Sequence, residues 1–367
     1  MMKKSARMTE FSWLNKLSAG LVLSGVLLFQ SGCAVRGTAD TLVWPALPAE
    51  PRVIYEATLR SPQNLVEADG GNRLRKALSG EADVVAAPAM SKPYDIAASA
   101  GLVVVSDTQA SVVHLFDTIR KRAFPFGWRG KGRLMRPLGV AIDGQRNIYV
   151  ADGVGQIQVF NMLGHYKRTI GDAADFDRLT DVAVSPSGDR IYALDRGQVD
   201  SANHRVTVYS AQGEKLFRFG GRGADAGKFN HPIQITIGPK DQVYVLDAGN
   251  FRVQVFNRLG EYQYHWGQPG RYLGNLARPR GLAVDSGGRV YVTDGAYQNF
   301  QIFNPQGQLL LPVGEGGNPD SPGRYAMPSG IALDQNDRIY VVDQLFRKVE
   351  VLRLLDEGER KALLESQ

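Results

Sequence analysis

The chain has 367 residues, enough for one large β domain or two ordinary domains with a sizeable buried core. Its formal net charge is +6, of which four basic residues and one acidic residue within 1–32 account for +3. The rest of the chain is only mildly basic, so composition does not indicate nucleic-acid binding. The single cysteine, Cys33, excludes an internal disulfide and any zinc module built on several cysteines.

The N-terminus has the three parts of an export signal. Basic residues precede an apolar run over residues 17–29, and Gln30-Ser-Gly-Cys33 follows. The run is shorter than the about 20 residues that cross a bilayer, which favours a signal peptide over a membrane-spanning helix. Small residues before a lone cysteine resemble a bacterial lipobox, in which Cys33 is lipidated, although Gln30 departs from the usual leucine-like residue. Ala34 then resembles the pattern for outer-membrane sorting. An ordinary signal peptide with an incidental cysteine is the alternative.

These features predict the segments outside the repeats. We expect a lipoprotein signal peptide over residues 1–32, a tether over 33–50, and a closing strand with a connecting segment over 51–90. Within that segment, residues 52–59 predict a strand without a nearby hairpin partner, and residues 72–79 a short helix. After the repeats, residues 356–367 are expected to form a charged, solvated tail. A short helix over 354–364 is the alternative, weakened by Gly358.

Internal repeats occupy residues 91–355. Each copy contains a short apolar strand, a second strand that ends on an aspartate, and a third strand that follows a polar turn. The strand-ending aspartates are Asp107, Asp152, Asp195, Asp247, Asp294 and Asp343. They lie 45, 43, 52, 47 and 49 residues apart, a spacing typical of four-stranded propeller blades. Alternating apolar residues and Gly, Asn and Asp turns indicate strands and hairpins, with no sustained helical period.

The sixth copy lacks a fourth strand, and the isolated strand over residues 52–59 can supply it. Completing the last blade with a strand from the other end of the chain leaves fewer open sheet edges. The sequence therefore predicts an all-β fold, a six-bladed β-propeller of four-stranded blades closed by an N-terminal strand.

The repeat motifs resemble those of a known family. The patterns Pro-x-Gly-φ-Ala, φ-Tyr-Val-x-Asp and Asn-x-Arg-Val-x-Val-Phe, followed by Phe-Gly-Gly-x-Gly, together resemble NHL repeats. Residues 247–256 and 219–223 carry them most clearly. With the leader, the tether and the isolated strand, the chain resembles bacterial NHL-repeat lipoproteins of the six-bladed class. The resemblance specifies the fold far better than the function, because one fold hosts many activities.

The strand-ending aspartates are expected to be structural. An aspartate at a strand end caps the following turn through backbone N–H groups, whereas a metal role is the weaker alternative. Arg205, Arg252 and Lys348 begin the next strand in three blades and are candidate partners of these carboxylates.

Two other columns of the repeat point to a binding site. The residue before the inner strand is basic or potentially basic in five copies, and these form a candidate collar for a partner or an anion: Lys92, Arg136, Arg178, His231 and Arg278. The alternative is that each ties down a carboxylate or carbonyl of a neighbouring blade. Polar residues at the next inner-strand positions form a candidate channel-mouth site: Tyr94, Asp95, Asp181, Gln234 and Arg280. The alternative is that they are solvated polar residues around a water-filled channel.

Catalytic motifs are absent from the sequence. The five histidines occupy unrelated positions in the repeat, and neither His-Glu-x-x-His nor Gly-x-Ser-x-Gly occurs. We therefore expect a non-catalytic scaffold that binds another protein or complex of the cell envelope, anchored by lipid in the outer membrane, with no cofactor and no nucleic acid. The alternative is a metal-dependent propeller enzyme, lyase- or lactonase-like, with a divalent metal at the channel mouth.

Overall fold

Six antiparallel sheets follow one another along the chain, and each forms one blade of a propeller. The structure, a computed structural model, describes residues 41–61, 64 and 89–366. The predicted signal peptide, Cys33 and the predicted helix over 72–79 lie outside these residues. Within the described residues, no helix combines the length and the apolar composition that crossing a membrane requires.

The first three blades each contain four strands, in order from the inner strand outward. Blade 1 contains Pro93–Ser99, Leu102–Asp107, Val112–Asp117 and Arg122–Phe126. Blade 2 contains Pro137–Ile142, Ile148–Asp152, Gln156–Phe160 and Tyr166–Ile170. Blade 3 contains Leu179–Val184, Arg190–Asp195, Arg205–Ser210 and Lys215–Gly220. A 3-10 turn, Ala173–Asp175, precedes blade 3.

The remaining blades repeat this order. Blade 4 contains Pro232–Ile237, Val243–Asp247, Arg252–Phe256 and Tyr262–Trp266, with 3-10 turns at Pro239–Asp241 and Ala248–Asn250. Blade 5 contains Pro279–Val284, Val290–Asp294, Asn299–Phe303 and Leu309–Val313. Blade 6 contains Pro328–Leu333, Ile339–Asp343 and Lys348–Leu354. Between blades 5 and 6, Glu315–Gly316 pairs in parallel with Arg324–Tyr325. The prediction of a six-bladed propeller is confirmed.

Blade 6 takes its outer strands from the N-terminal side of the chain. Val53–Leu59 pairs antiparallel with Lys348–Leu354. Within the segment predicted to be a tether, Val43–Trp44 adds a short fifth strand that pairs with Val53–Leu59. The two ends of the closing strand are buried on different sides: Val53 packs in the core shared with blade 5, and Leu59 in the core shared with blade 1.

The core lies between adjacent blades rather than inside any one of them. In one cluster, Tyr244 and Trp266 of blade 4 pack against Leu282 and Phe303 of blade 5. The rings of Trp266 and Phe303 are 4.8 Å apart between centroids. Since each inner strand contacts the inner strands of its two neighbours, the blades close into a ring around a central channel.

The C-terminal segment differs from the prediction of a solvated tail, because Glu357–Glu365 is an α-helix. Asp356 and Glu359 form a capping box, in which each side chain accepts a bond from the other residue's backbone N–H. Two ion pairs attach the helix to the propeller, Arg353 to Glu359 at 2.6 Å and Arg360 to Glu50 at 2.9 Å. These contacts offset the cost of Gly358 near the helix start.

Candidate functional site

The strand-ending aspartates lie where the inner strands begin, on a side of the ring that we call the mouth face. Antiparallel pairing brings them there, as in the register of Asp107 with Pro93. All six side chains are buried, and each accepts hydrogen bonds from the backbone just before its blade's inner strand. The donors are the N–H groups of Ser91, Lys92, Met135, Arg136, Asp177, Arg178, Asn230, Ala277, Arg278, Ala326 and Met327.

The same carboxylates also bond the turns that follow them. In blade 1, Asp107 Oδ1 accepts the N–H groups of the residues two and three positions further on. Of the three basic residues that begin the next strand, Arg252 pairs with its own blade's aspartate, with Nε 2.9 Å from Asp247 Oδ2. Arg205 instead donates to the Asp175 carbonyl, and Lys348 to the Glu350 carboxylate. The aspartates thus fix the positions of the residues that begin each inner strand.

The residues of the basic collar directly precede five of the inner strands: Lys92, Arg136, Arg178, His231 and Arg278. The lysine and the three arginines are exposed, and His231 is half-buried. Within the described residues, these five side chains make no hydrogen bond or ion pair, so no bond ties them to a neighbouring blade. Burial lowers the pKa of His231, and the positive charges of Arg196 and Arg178 lower it further. The positive charge of the collar at neutral pH therefore comes from its lysine and arginines.

A cavity of about 610 Å³, which we call the mouth pocket, opens between the collar and the channel. Lys92 and Arg136 form its rim, and Tyr94 and Arg280 lie deeper. Its remaining lining residues are Thr108, Gln109, Met135, Leu138 and Gln344. Burial raises the pKa of Tyr94, and the charge of Arg280 opposes that rise. Two residues of the predicted channel mouth, Tyr94 and Arg280, thus share one pocket with two residues of the collar.

Arg196, which neither predicted column contains, belongs to the same charged region. Burial lowers its pKa, the charges of Arg178 and Arg136 lower it further, and Tyr94 opposes them. Its Nε atom is buried and has no hydrogen-bond partner among the described residues. The signal that would have found Arg196 is the column after the strand-ending aspartate, where it is the only basic residue: Thr108, Gly153, Arg196, Ala248, Gly295 and Gln344.

The turn after Asp195 in blade 3 spans residues 196–204 and is longer than its blade 4 counterpart, residues 248–251. This long loop carries Arg196 and borders a second cavity of about 640 Å³, which Arg136 and Arg178 also line. The loop is held in place by its own polar contacts. His204 Nδ1 accepts the His231 backbone N–H at 3.0 Å, and Ser201 donates to the Asp177 carboxylate. The loop that distinguishes blade 3 therefore extends the charged surface at the mouth.

The other three predicted channel-mouth residues lie inside the channel, apart from Tyr94 and Arg280. Asp95 and Asp181 are each 1% exposed and Gln234 is 8% exposed. Gln234 of blade 4 donates across the channel to Asp95 of blade 1 at 2.9 Å. Asp95 also accepts the Val140 N–H at 2.9 Å, and Asp181 accepts the Ile235 N–H at 2.7 Å. We call Asp95, Asp181 and Gln234 the acid bridge, because their hydrogen bonds join blades 1, 3 and 4.

Burial dominates the acid–base behaviour of the bridge. It raises the pKa of Asp95 to about 6, against an ordinary value of 3.8, although hydrogen bonds from Val140 and Gln234 oppose the rise. Burial also raises the pKa of Asp181, and the neighbouring Asp95 carboxylate raises it further. Two carboxyl groups in one desolvated site favour a state in which one holds a proton.

The channel on the other side of the bridge widens into a cavity of about 300 Å³, lined by the second halves of the inner strands. Its side chains are mostly small or apolar, such as Ala97, Val184 and Leu333. Within residues 41–61 and 89–366, no three His, Cys, Asp or Glu side chains are grouped so that they could hold a metal ion.

Sequence comparison identifies the repeats. The NHL-repeat family profile matches residues 229–256 and 276–303, which cover the first three strands of blades 4 and 5. The chain carries NHL repeats. It is also 28% identical over 122 residues to the protein brain tumor of Drosophila melanogaster, a match that covers 32% of this chain and 11% of that protein. The alignment thus spans about a ninth of the relative.

Solved structures with the same architecture as this NHL propeller include several enzymes. A gluconolactonase from Xanthomonas campestris has a TM-score of 0.55 and 19% identity, covering 72% of this chain and 87% of that chain. An inactive virginiamycin B lyase from Staphylococcus aureus, solved with quinupristin, has a TM-score of 0.51 and 13% identity, covering 72% and 81%. At such low identity these similarities establish the propeller fold alone.

Proposed function

We propose that this NHL propeller is a non-catalytic scaffold that docks an acidic segment of another cell-envelope protein at its mouth face. The observation that carries the proposal is the unpaired charge of the basic collar. Four exposed cationic side chains at the start of four inner strands have no ion-pair partner within the described residues. A ring of uncompensated positive charge attracts and orients an acidic partner.

Exposed apolar side chains on the same face support docking of a protein. Trp128 is 53% exposed and Tyr272 is 81% exposed, and both lie in connections between blades. Val199, in the long loop of blade 3, is 72% exposed. The Arg129 guanidinium lies 4.3 Å from the centroid of the Trp128 ring. Aromatic and arginine side chains are the residues that dominate binding energy in protein interfaces.

Charge reversal of the collar tests the proposal. The triple variant Arg136→Glu/Arg178→Glu/Arg278→Glu in the tagged full-length protein should reduce recovery of cross-linked envelope partners by at least about tenfold, because it replaces attraction by repulsion. The matched control reverses Arg120, Lys240 and Arg258, which lie in turns on the opposite face. Recovery should fall only with the collar variant, and equal recovery with both variants would remove the collar as a docking site.

The enzyme alternative predicts a different result. A metal-dependent site built on the acid bridge requires stoichiometric zinc or calcium in the purified protein, lost on replacing Asp95 or Asp181. Both carboxylates already accept backbone N–H groups, and this occupancy favours a structural role for them. Metal analysis of the wild type and both variants separates the two hypotheses.

A further inference from the structure

Three polar side chains at the mouth face come from alternate blades. Tyr94 comes from the inner strand of blade 1, Arg196 from the loop of blade 3, and Arg280 from the inner strand of blade 5. Tyr94 and Arg280 line the mouth pocket together. Arg196 lies outside that lining, but its charge, like that of Arg280, lowers the pKa of the Tyr94 hydroxyl.

No acidic side chain neutralises the two arginines. Within the described residues the side chains of Arg196 and Arg280 make no hydrogen bond or ion pair. The acid bridge lies beneath them, but its oxygens accept bonds from Val140, Gln234, Val182 and Ile235. Two half-buried guanidinium groups therefore have unused donors, which is a costly arrangement unless a ligand supplies the acceptors.

The space suits a compact anion. The mouth pocket has a volume of about 610 Å³, within the usual range for small-molecule sites. The hydroxyl and amide groups of Thr108, Gln109 and Gln344 provide further polar contacts on its wall. A planar guanidinium matches the paired oxygens of a carboxylate or a phosphate, whereas a neutral ligand would leave both charges unpaired.

We propose that the mouth pocket binds one oxyanion, a carboxylate or a phosphate, through Arg280 and the Tyr94 hydroxyl, which line it, and that the unpartnered Arg196 guanidinium supplies a second cationic donor to the same anion. This inference rests on the proposed function and specifies the chemical group that is recognised. The exposed collar attracts an acidic partner, and the pocket binds one anionic group of that partner. Because the exposed side chains of Lys92 and Arg136 line the pocket, the anion enters and leaves from the mouth face.

Calorimetric titration of the full-length protein with citrate and, separately, with inorganic phosphate tests this inference at low ionic strength. Saturable binding at one site is expected for at least one of the two anions. The variant Arg196→Gln/Arg280→Gln should weaken it by at least about tenfold, because both charge-assisted donors are lost. The variant Arg196→Lys/Arg280→Lys keeps the charge but loses the planar donor pair, and should give an intermediate affinity. Arg258→Gln, which removes an exposed arginine of the opposite face, is the matched control and should bind like the wild type.

The outcomes are distinguishable. Binding of citrate alone identifies a carboxylate ligand, and binding of phosphate alone identifies a phosphate ligand; binding of both supports a general oxyanion site. Absence of saturable binding, or equal binding by the wild type and the Arg196→Gln/Arg280→Gln variant, overturns the inference. It would leave the proposed docking function intact if the collar reversal still abolished partner recovery, since the collar variant does not change Arg196 or Arg280.

Discussion

Three of the six inner strands carry a glycine at the level of the acid bridge because atoms of the neighbouring blades lie close to that position. A Cβ atom on Gly139 would overlap the Asp181 carboxylate, and one on Gly330 would lie 2.7 Å from Asp95 Cα. At this inner-strand position the six copies have Asp95, Gly139, Asp181, Gln234, Gly281 and Gly330. The three glycines allow close packing between blades, and the other three copies place a polar side chain there. Only a residue without a side chain permits this close approach.

The raised pKa of Asp95 predicts a specific dependence of stability on pH. A carboxyl group whose pKa rises on folding stabilises the protein at low pH, and this contribution is lost as pH rises through the folded value. Between pH 4.5 and 7.5 the group should lower the free energy of unfolding by about 2 kcal/mol, which is the part of a full effect of about 3 kcal/mol that falls in this range for a pKa of about 6 against 3.8. Asp95→Asn does not titrate, so its stability relative to the wild type should increase over this range.

Urea unfolding of both proteins at several pH values measures that difference. Asp177→Asn is the control, because the hydrogen bond from Ser201 lowers the pKa of Asp177 and this carboxylate stays ionised throughout the range. The stability difference for Asp177→Asn should therefore not vary with pH. If the stability difference between Asp95→Asn and the wild type were also independent of pH, it would contradict the inference that the acid bridge holds a proton.

At the scale of an element, the closing strand Val53–Leu59 joins two blade interfaces. Leu59 is 4% exposed and packs among residues of blades 1 and 6. Leu59→Ala should lower the free energy of unfolding by about 3 kcal/mol, because it leaves a cavity in that core. Deleting residues 50–60 should lower the melting temperature further and promote aggregation, since the edge of Lys348–Leu354 would lose its partner.

Leu216→Ala is the matched control for Leu59→Ala. It makes the same substitution on the outer strand of blade 3, where the side chain is 47% exposed. Differential scanning calorimetry should show a small change for Leu216→Ala and a clear fall for Leu59→Ala. Equal melting temperatures for all of these proteins would show that the strand does not stabilise the ring.

At the scale of the whole molecule, periodicity decides which features the sequence predicts. The strands of the blades recur in all six copies, and the collar position is basic or potentially basic in five. Alignment of the copies therefore predicts both features. Arg196 has a place in that alignment, in the column after the strand-ending aspartate, but no other copy has a basic residue there, so recurrence does not mark it. Asp95 and Asp181 are predicted at the channel mouth, but in the structure they are buried inside the channel. An aligned column shows which residues face the channel, but not how deeply the neighbouring blades bury them. The C-terminal helix has a local signal, Asp356 with Glu359, that outweighs Gly358.

At the same scale, the predicted attachment to the membrane depends on Cys33, which lies outside the described residues. If Cys33 is lipidated, Cys33→Ala should move the protein from the membrane fraction to the soluble fraction, because the lipid supplies the anchoring free energy. Failure of signal-peptide cleavage could retain this variant at the membrane through the apolar run over 17–29. A second variant therefore replaces residues 1–33 with a cleavable, non-lipidated signal peptide. Fractionation with measurement of the mature mass should find both cleaved variants soluble and the wild type membrane-bound. A cleaved, unlipidated protein that still sediments with membranes would show that the propeller itself, or a partner bound to it, supplies the attachment.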